Sequence, residues 1–416
     1  MQKEKVILFG IKLHKDTQID IFFSMAELAR LVDTAGGEVI ESFIQFRDEY
    51  SSKFLIGRGK LEEIKDFCEI YNIDTIISDD PLTSAQQRNI EEITNVKVLD
   101  RTRLILDIFA KRAKSKEGKL QVELAQLEYL LPRLTGRGIM LSQQKGGIGT
   151  KGPGERKLEI DRRKIREKIT KFKKEIEHIQ HYREIQRAKR KNLPLPMAAL
   201  VGYTNAGKST LMNKLTNADV FAEDKLFATL DATVRRYTLP NKQKILLADT
   251  VGFIQKLPHE LIASFRATLE EINEADVIVH LVDMSLKNFE RQINSVVDIL
   301  KEINIGSIPI ITVFNKCDSL EEKMKANIAK KYPDYCLISA STGEGIHVLN
   351  DKITNSLQKK MVFARLAVPY SETVVISRIY KTGTVYEKRY LDDYIELNIL
   401  VDEKTYGQLK KYEITK

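Results

Sequence analysis

Tryptophan is absent from this chain of 416 residues, cysteine occurs three times and proline ten times. Without tryptophan, and without an aromatic RNA-recognition motif, base stacking is not advertised as a binding mode. Cys68, Cys317 and Cys336 are scattered, odd in number and without metal-ligand spacing, which excludes a disulfide framework and points to a reducing cytoplasm. Few prolines and 43% hydrophobic residues argue against disorder. Long apolar runs are also missing. The stretch "DVIVHLV" (Asp276 to Val282) is far too short to cross a bilayer, so no integral membrane segment is expected. The start "MQKEKVILFG" goes from charge straight into a strand-like run and lacks signal-peptide architecture. A cytoplasmic monomer is the expectation. Basic surface also attracts anionic lipid, which leaves peripheral membrane association open.

What is present is basic charge, unevenly spread. The formal net charge is +9. Evenly distributed it would mean only solubility. Instead "RRK", "KFKK" and "RAKRK" concentrate between residues 162 and 191.

The chain reads as α/β in four parts, at 1–113, 114–195, 196–360 and 361–416. In the first, "VILFGIKL", "EVIESFIQF", "DTIISD" and "VKVLD" read as strands of a parallel sheet. Met25, Leu28, Ala29 and Val32 mark a helix face closed by Gly36 and Gly37. "IGRGK" (Ile56 to Lys60) fits either a turn before a helix or a phosphate contact. In the second, Leu120, Leu124, Leu127, Leu131 and Leu134 keep a four-three spacing. So do Leu158, Ile165, Ile169, Phe172, Ile176 and Ile179, with Arg162 in one seam position. Two such stripes predict an antiparallel helical hairpin whose second helix extends ~50 Å. Joining them is the glycine-rich "TGRGIMLSQQKGGIGTKGPGERKLE", with Arg137, Lys145, Lys151, Arg156 and Lys157 as candidate RNA contacts. The fourth part is a small α+β domain in which Ile395, Leu397, Ile399 and Val401 alternate as the buried side of one strand.

The third part carries the chemistry. "GYTNAGKS" (Gly202, Tyr203, Thr204, Asn205, Ala206, Gly207, Lys208, Ser209) follows a strand and opens a helix, the context a P-loop requires. Backbone N–H groups and the helix N-terminus would cradle phosphates, Lys208 would reach the outer ones, and Ser209 would hold Mg²⁺. "NKCD" (Asn315, Lys316, Cys317, Asp318) ends a later strand. There the Asp318 carboxylate can accept from N1–H and the 2-amino group of guanine, donors that adenine lacks. "SAS" (Ser339, Ala340, Ser341) offers the Ala340 N–H to guanine O6. Together these order themselves as a guanine-nucleotide domain. "DTVGF" places Asp249, Thr250, Val251 and Gly252 for the Mg²⁺ and γ-phosphate, but Phe253 stands where Ras-like switches carry a water-orienting glutamine. Thr229 and Thr233 are both candidates for the switch hydroxyl, and spacing does not choose between them. His259 and His280 are weak substitutes for the missing glutamine.

With these residues in place the whole chain resembles the HflX family of ribosome-associated GTPases. "GGIGTKGPGERKLE" and "FATLD" look like that family's signatures, although Ala232 stands where a proline commonly follows "FATLD". The resemblance implies nucleotide contacts over Phe227, Ala228, Thr229, Leu230 and Asp231, with Thr229 completing the metal's coordination. It implies catalytic roles for Lys208, Thr229 and Gly252. It also implies binding to the large ribosomal subunit and the assembled ribosome, and splitting of stalled or idle ribosomes. For some members it adds ATP-dependent RNA remodelling by the N-terminal part. Alternatives from other classes are an NTP-driven rRNA remodeller and a guanine-nucleotide-gated binding module with little turnover.

Overall fold

A computed structural model describes residues 3–14, 20–134, 153–190, 195–216, 226–227, 233–256, 272–286, 289–302, 305, 308–358 and 361–414. The chain divides into two compact units. The first is discontinuous: Met1–Ile179 is joined by Lys225–Leu230 and Gln255–Arg266.

Its sheet is made of β1 (Glu4–Leu13), β2 (Gly37–Arg47), β3 (Thr75–Ser78) and β4 (Lys97–Asp100), all parallel in the order β2-β1-β3-β4. Each crossover is helical: α1 (Ile21–Ala35), α2 (Arg58–Tyr71) and α3 (Ser84–Thr94), with α4 (Arg101–Arg112) after the last strand. Helix α1 buries Met25, Leu28 and Val32 as its periodicity predicts. It ends at Gly36, whose φ of 96° is the left-handed conformation that glycine adopts without a Cβ penalty. "IGRGK" is the turn into α2, with Gly57 as N-cap and its N–H donated to Gln45 Oε1. Residues Ile7, Phe9, Ile11, Leu61, Ile64 and Ile76 build the core.

Helices α5 (Lys116–Arg133) and α6 (Pro153–Arg190) follow. Leu120, Leu124, Leu127 and Leu131 pack with Ile165, Ile169, Phe172, Ile176 and Ile179, the seam that the four-three spacing predicts. Lys173 Nζ reaches Glu128 across it at 2.9 Å. Helix α6 has 38 residues and a length of ~57 Å, slightly more than expected because it begins five residues earlier. Arg137, Lys145 and Lys151 lie outside the described residues. Arg156 and Lys157 fall in the first turn and a half of α6.

The second unit holds a six-stranded sheet of order β10-β9-β8-β5-β7-β6. Its strands are β5 (Met197–Gly202), β6 (Thr233–Thr238), β7 (Lys244–Asp249), β8 (Val277–Asp283), β9 (Ile310–Asn315) and β10 (Cys336–Leu337). Only β6 runs antiparallel to its neighbour, so the sheet is mainly parallel. Helices α7 (Lys208–Thr216), α8 (Phe289–Glu302), α9 (Glu322–Lys331) and α10 (Ile346–Gln358) alternate with the strands. The unit ends in β11 (Met361–Pro369), α11 (Thr373–Thr382), β12 (Thr384–Tyr390), β13 (Tyr394–Asp402) and α12 (Glu403–Leu409), with an antiparallel sheet of order β11-β13-β12. Ile395, Leu397, Ile399 and Val401 are all buried in that sheet's core, as alternation predicts. No helix among the described residues is long and apolar enough to cross a membrane.

Candidate nucleotide site

Strand β5 delivers the chain into a turn that only special backbone conformations allow. Gly207 has φ 91°, and a β-carbon there would lie 2.2 Å from Asn315 Nδ2, so glycine is required both for the turn and for the approach of "NKCD". Asn315 then ties three segments: its Nδ2 donates to Ala206 O at 2.7 Å, and its Oδ1 accepts from Ala340 N–H at 2.9 Å. One buried amide thereby fixes the P-loop, "NKCD" and "SAS" against each other. Both bonds are satisfied, as a buried polar group demands.

Lys208 opens α7 with its amine fully enclosed, donating to Gly202 O at 3.1 Å and Tyr203 O at 2.9 Å. Burial pushes this amine down to about 8, against the opposing pull of the Asp249 carboxylate. Ser209 Oγ donates to Asp249 Oδ2 at 2.8 Å, so a hydroxyl and a carboxylate meet beside that amine. Thr250 Oγ1 donates to Leu200 O, pinning "DTVGF" to β5. A β-carbon on Gly252 would lie 2.9 Å from Thr204 Cα and 3.0 Å from Lys208 Nζ, which leaves room for glycine only.

Phe253 is buried, and its main chain is zipped to the P-loop. Its N–H donates to Gly202 O at 3.1 Å and its carbonyl accepts from Thr204 N–H at 2.7 Å. An apolar ring suits that enclosed position. A glutamine there would bring a buried amide needing its own partners.

Asp318 is exposed at the start of the 3₁₀ turn Cys317–Ser319, directly after Lys316, which has φ 64°. Lys316 Nζ pairs with Asp283 Oδ2 at 2.7 Å. Ser339 Oγ and Ser341 Oγ are 2.9 Å apart, and Ala340 is buried between them. The apolar run "YCLISA" has the composition of one buried strand ending at Ala340. It is a strand only at Cys336–Leu337, because Ser339 turns out of the ladder by bonding Glu344 O and Gly343 N–H.

Thr233 is the first residue of β6, opposite Asp249 in the ladder. Thr229, Ala228, Leu230, Asp231 and His259 lie outside the described residues. Phe227 is described; it is buried with φ 57°. His280 is enclosed in β8, where burial, aided by Lys208, pushes its imidazole down to about 4. It is neutral at neutral pH and shut away from solvent water.

Three family models cover most of the chain. They are described as GTP-binding GTPase N-terminal over residues 23–110, GTP-binding GTPase Middle Region over 112–190, and 50S ribosome-binding GTPase over 197–316. A GTPase HflX of Caldanaerobacter subterraneus subsp. tengcongensis is 43% identical over 98% of this chain and 92% of its own length. The chain belongs to the HflX family of GTPases. The GTPase HflX of Escherichia coli is 40% identical over 94% of this chain and 91% of its own. Among solved structures, a GTP-binding protein of Sulfolobus solfataricus in complex with GDP is 27% identical. That match covers 86% of this chain and 99% of the other, at a TM-score of 0.44.

Membership makes the enclosed P-loop that of a GTPase, acting on GTP and yielding GDP. Sequence reading missed Asp283, which anchors the Lys316 side chain. The available signal was an acid ending the otherwise apolar run "VIVHLVD". It also missed the β6–β7 hairpin, whose first strand carries Arg235, Arg236 and Tyr237 in place of apolar residues.

Proposed function

We propose that this HflX-family GTPase binds GTP with Mg²⁺ and the large ribosomal subunit, and that it splits stalled or idle ribosomes with hydrolysis stimulated by the ribosome. The observation that carries the nucleotide half is the Asn315 tie. One side chain joins the P-loop at Ala206 to "SAS" at Ala340, and it stands three residues before Asp318, the proposed guanine reader. In this reading Gly202 to Ser209 cradle the phosphates and Gly252 N–H meets the γ-phosphate, while Asn315 to Asp318 and Ser339 to Ser341 enclose the base. The paired Ser209 hydroxyl and Asp249 carboxylate are hard oxygen donors of the kind Mg²⁺ takes. When bound, the ion neutralises charge developing between the β- and γ-phosphates. Ser209 and Thr229 are the proposed protein ligands, with Asp249 in the outer shell.

The ribosomal half rests on the family model's description, on the basic helix α6 and on Phe253. Because the position after Gly252 is an enclosed apolar ring, the site has no water-orienting side chain there, and His280 is neutral and buried. A partner that orders the switch segments or supplies the missing group answers this need. The basic residues Arg137, Lys145, Lys151, Arg156 and Lys157 suit a phosphate surface. The deciding experiment measures GTP turnover and co-sedimentation with whole ribosomes and with separated subunits, in GTP-analogue and GDP states. Strong stimulation by the large subunit and splitting of whole ribosomes are expected. Turnover indifferent to ribosomes would reject the reading.

A further inference from the structure

Helix α4 touches two segments that are distant in sequence. At its first residue, the buried Arg101 guanidinium donates to Glu27 Oε2 at 2.7 Å, to Ser24 O at 2.7 Å and to Gln255 O at 3.1 Å, and it pairs with Asp79 Oδ1 at 3.0 Å. The next residue, Lys256, places its ammonium on Asp79 Oδ2 and, at 2.7 Å, on Asp80 Oδ1. Thus Gln255 is held by its main chain and Lys256 by its side chain. Eight residues further along α4, ~12 Å at the helical rise, the Phe109 ring meets Phe227 edge to face at 4.5 Å. Both gripped residues, Lys256 (φ 52°) and Phe227 (φ 57°), sit in the left-handed region that side chains disfavour. All these groups belong to the first unit, although the chain enters it at Lys225 and Gln255 directly from the second.

The acids stand where a parallel sheet of this strand order normally holds a ligand. The order β2-β1-β3-β4 reverses between β1 and β3, and ligands of such sheets lie beyond the carboxyl ends of the strands at that reversal. Asp79 and Asp80 follow the end of β3, and Asp79 N–H donates to Phe9 O of β1. Here the occupant of that place is the chain's own Lys256.

Gln255 and Lys256 come three and four residues after Gly252, and Phe227 opens "FATLD". We infer that α4 anchors a two-point clamp, in which Arg101 holds Gln255 while Asp79 and Asp80 hold Lys256, and Phe109 holds Phe227. The clamp positions both segments that sense the γ-phosphate. The inference rests on the nucleotide-site reading above. Its direction follows from Gly252. A γ-phosphate bound by Lys208 Nζ and Gly252 N–H has to lie between them, and a β-carbon built on Gly252 would come within 3.0 Å of that amine, so the two stand close together. The segment has to draw back for the triphosphate, and the grip on Gln255 and Lys256 opposes this. GDP makes no such demand. Lys256, Arg101 and Phe109 are therefore positioning residues that discriminate triphosphate from diphosphate.

The test uses the full chain and compares wild type with Lys256→Met, Lys256→Arg and Phe109→Leu, avoiding Arg101, whose loss would strand two buried carboxylates. Fluorescent GDP and a non-hydrolysable GTP analogue are titrated with Mg²⁺, and amide exchange is followed over the peptide containing residues 253–256 without nucleotide. Lys256→Met is expected to raise the ratio of analogue to GDP affinity at least fivefold, with GDP affinity within twofold of wild type, and to speed exchange. Phe109→Leu shifts the ratio the same way, and Lys256→Arg restores the wild-type value. Unchanged exchange in Lys256→Met would overturn the clamp. An unchanged or lowered ratio in both releasing variants, with guanine preferred over adenine nucleotides, would overturn its coupling to the γ-phosphate. Loss of guanine preference in the wild type would instead strike the site reading.

Discussion

Asp318 sits exposed in the 3₁₀ turn that follows β9, three residues after the tied-down Asn315, so its carboxylate faces solvent where it can meet a base. An Asp318→Asn change replaces a double acceptor by a mixed amide. It removes charge-assisted bonds worth about 1.5–3 kcal/mol each, and preference is expected to move from guanine toward xanthine nucleotides. Competition binding with both nucleotides checks this, and unchanged GTP affinity would reject the assignment. Lys208 makes a second, pH-dependent case. Its amine is lowered to about 8 by burial, so part of the population is neutral in mildly alkaline solution. A bound phosphate favours the ammonium and raises that pKa. Binding should then take up protons, with affinity flat below about pH 8 and falling as pH rises through it. Calorimetry at pH 8 in two buffers of different ionisation heat reads the uptake directly, and identical observed heats in the two buffers would count against it.

The elements differ in how openly the sequence states them. The α5–α6 hairpin was legible because its apolar seam residues recur at fixed spacing, interrupted by a charge only at Arg162. Leu120, Leu124, Ile169 and Ile176 form the centre of the observed contact. The parallel sheets were legible from apolar runs bounded by turns, as in β3 and β8, where every residue is buried. The β6–β7 hairpin was not, since β6 has no fully buried residue and carries adjacent charges, Arg235 and Arg236, at a sheet edge where packing constrains them weakly. Of the site, "GYTNAGKS", "NKCD" and "DTVGF" could be read because their chemistry is local. Asp283 and the grip of α4 could not, because their partners lie far away in sequence. Nothing in "LDRTRL" announces that Arg101 will meet Gln255. The seam carries its own expectation: Ile169→Ala should cost about 2–5 kcal/mol of the hairpin's local stability. It should leave GDP affinity unchanged, because the nucleotide residues belong to the second unit. Amide exchange along α6 measures the first and nucleotide titration the second. A protected α6 in that variant would show the seam to be dispensable.

For the whole molecule, the question is how a ribosomal contact made by one part governs chemistry in another. The basic residues Lys145 and Lys151 belong to the connection between α5 and α6 and Arg156 to the first turn of α6, whereas Lys208, Gly252 and Asp318 belong to the second unit. Replacing the three basic residues by glutamine removes charge without touching the P-loop. Buried apolar area hardly changes, because glycine and polar residues dominate that connection, so the melting transition should stay nearly where it is. Ribosome affinity is expected to fall, and the deficit should shrink as salt is raised, because fewer counterions are released on binding. The slow turnover of the isolated protein should persist, since every group proposed to hold GTP is intact. Stimulation by ribosomes and their splitting should both fail, because Phe253 leaves the site without a water-orienting side chain of its own and dependent on a partner. Turnover with and without large subunits, sedimentation across a salt series, and a splitting assay on whole ribosomes separate these effects. A charge-neutral variant that still splits ribosomes at the wild-type rate would take this connection out of the mechanism and shift the burden of recognition to the rest of the basic helix.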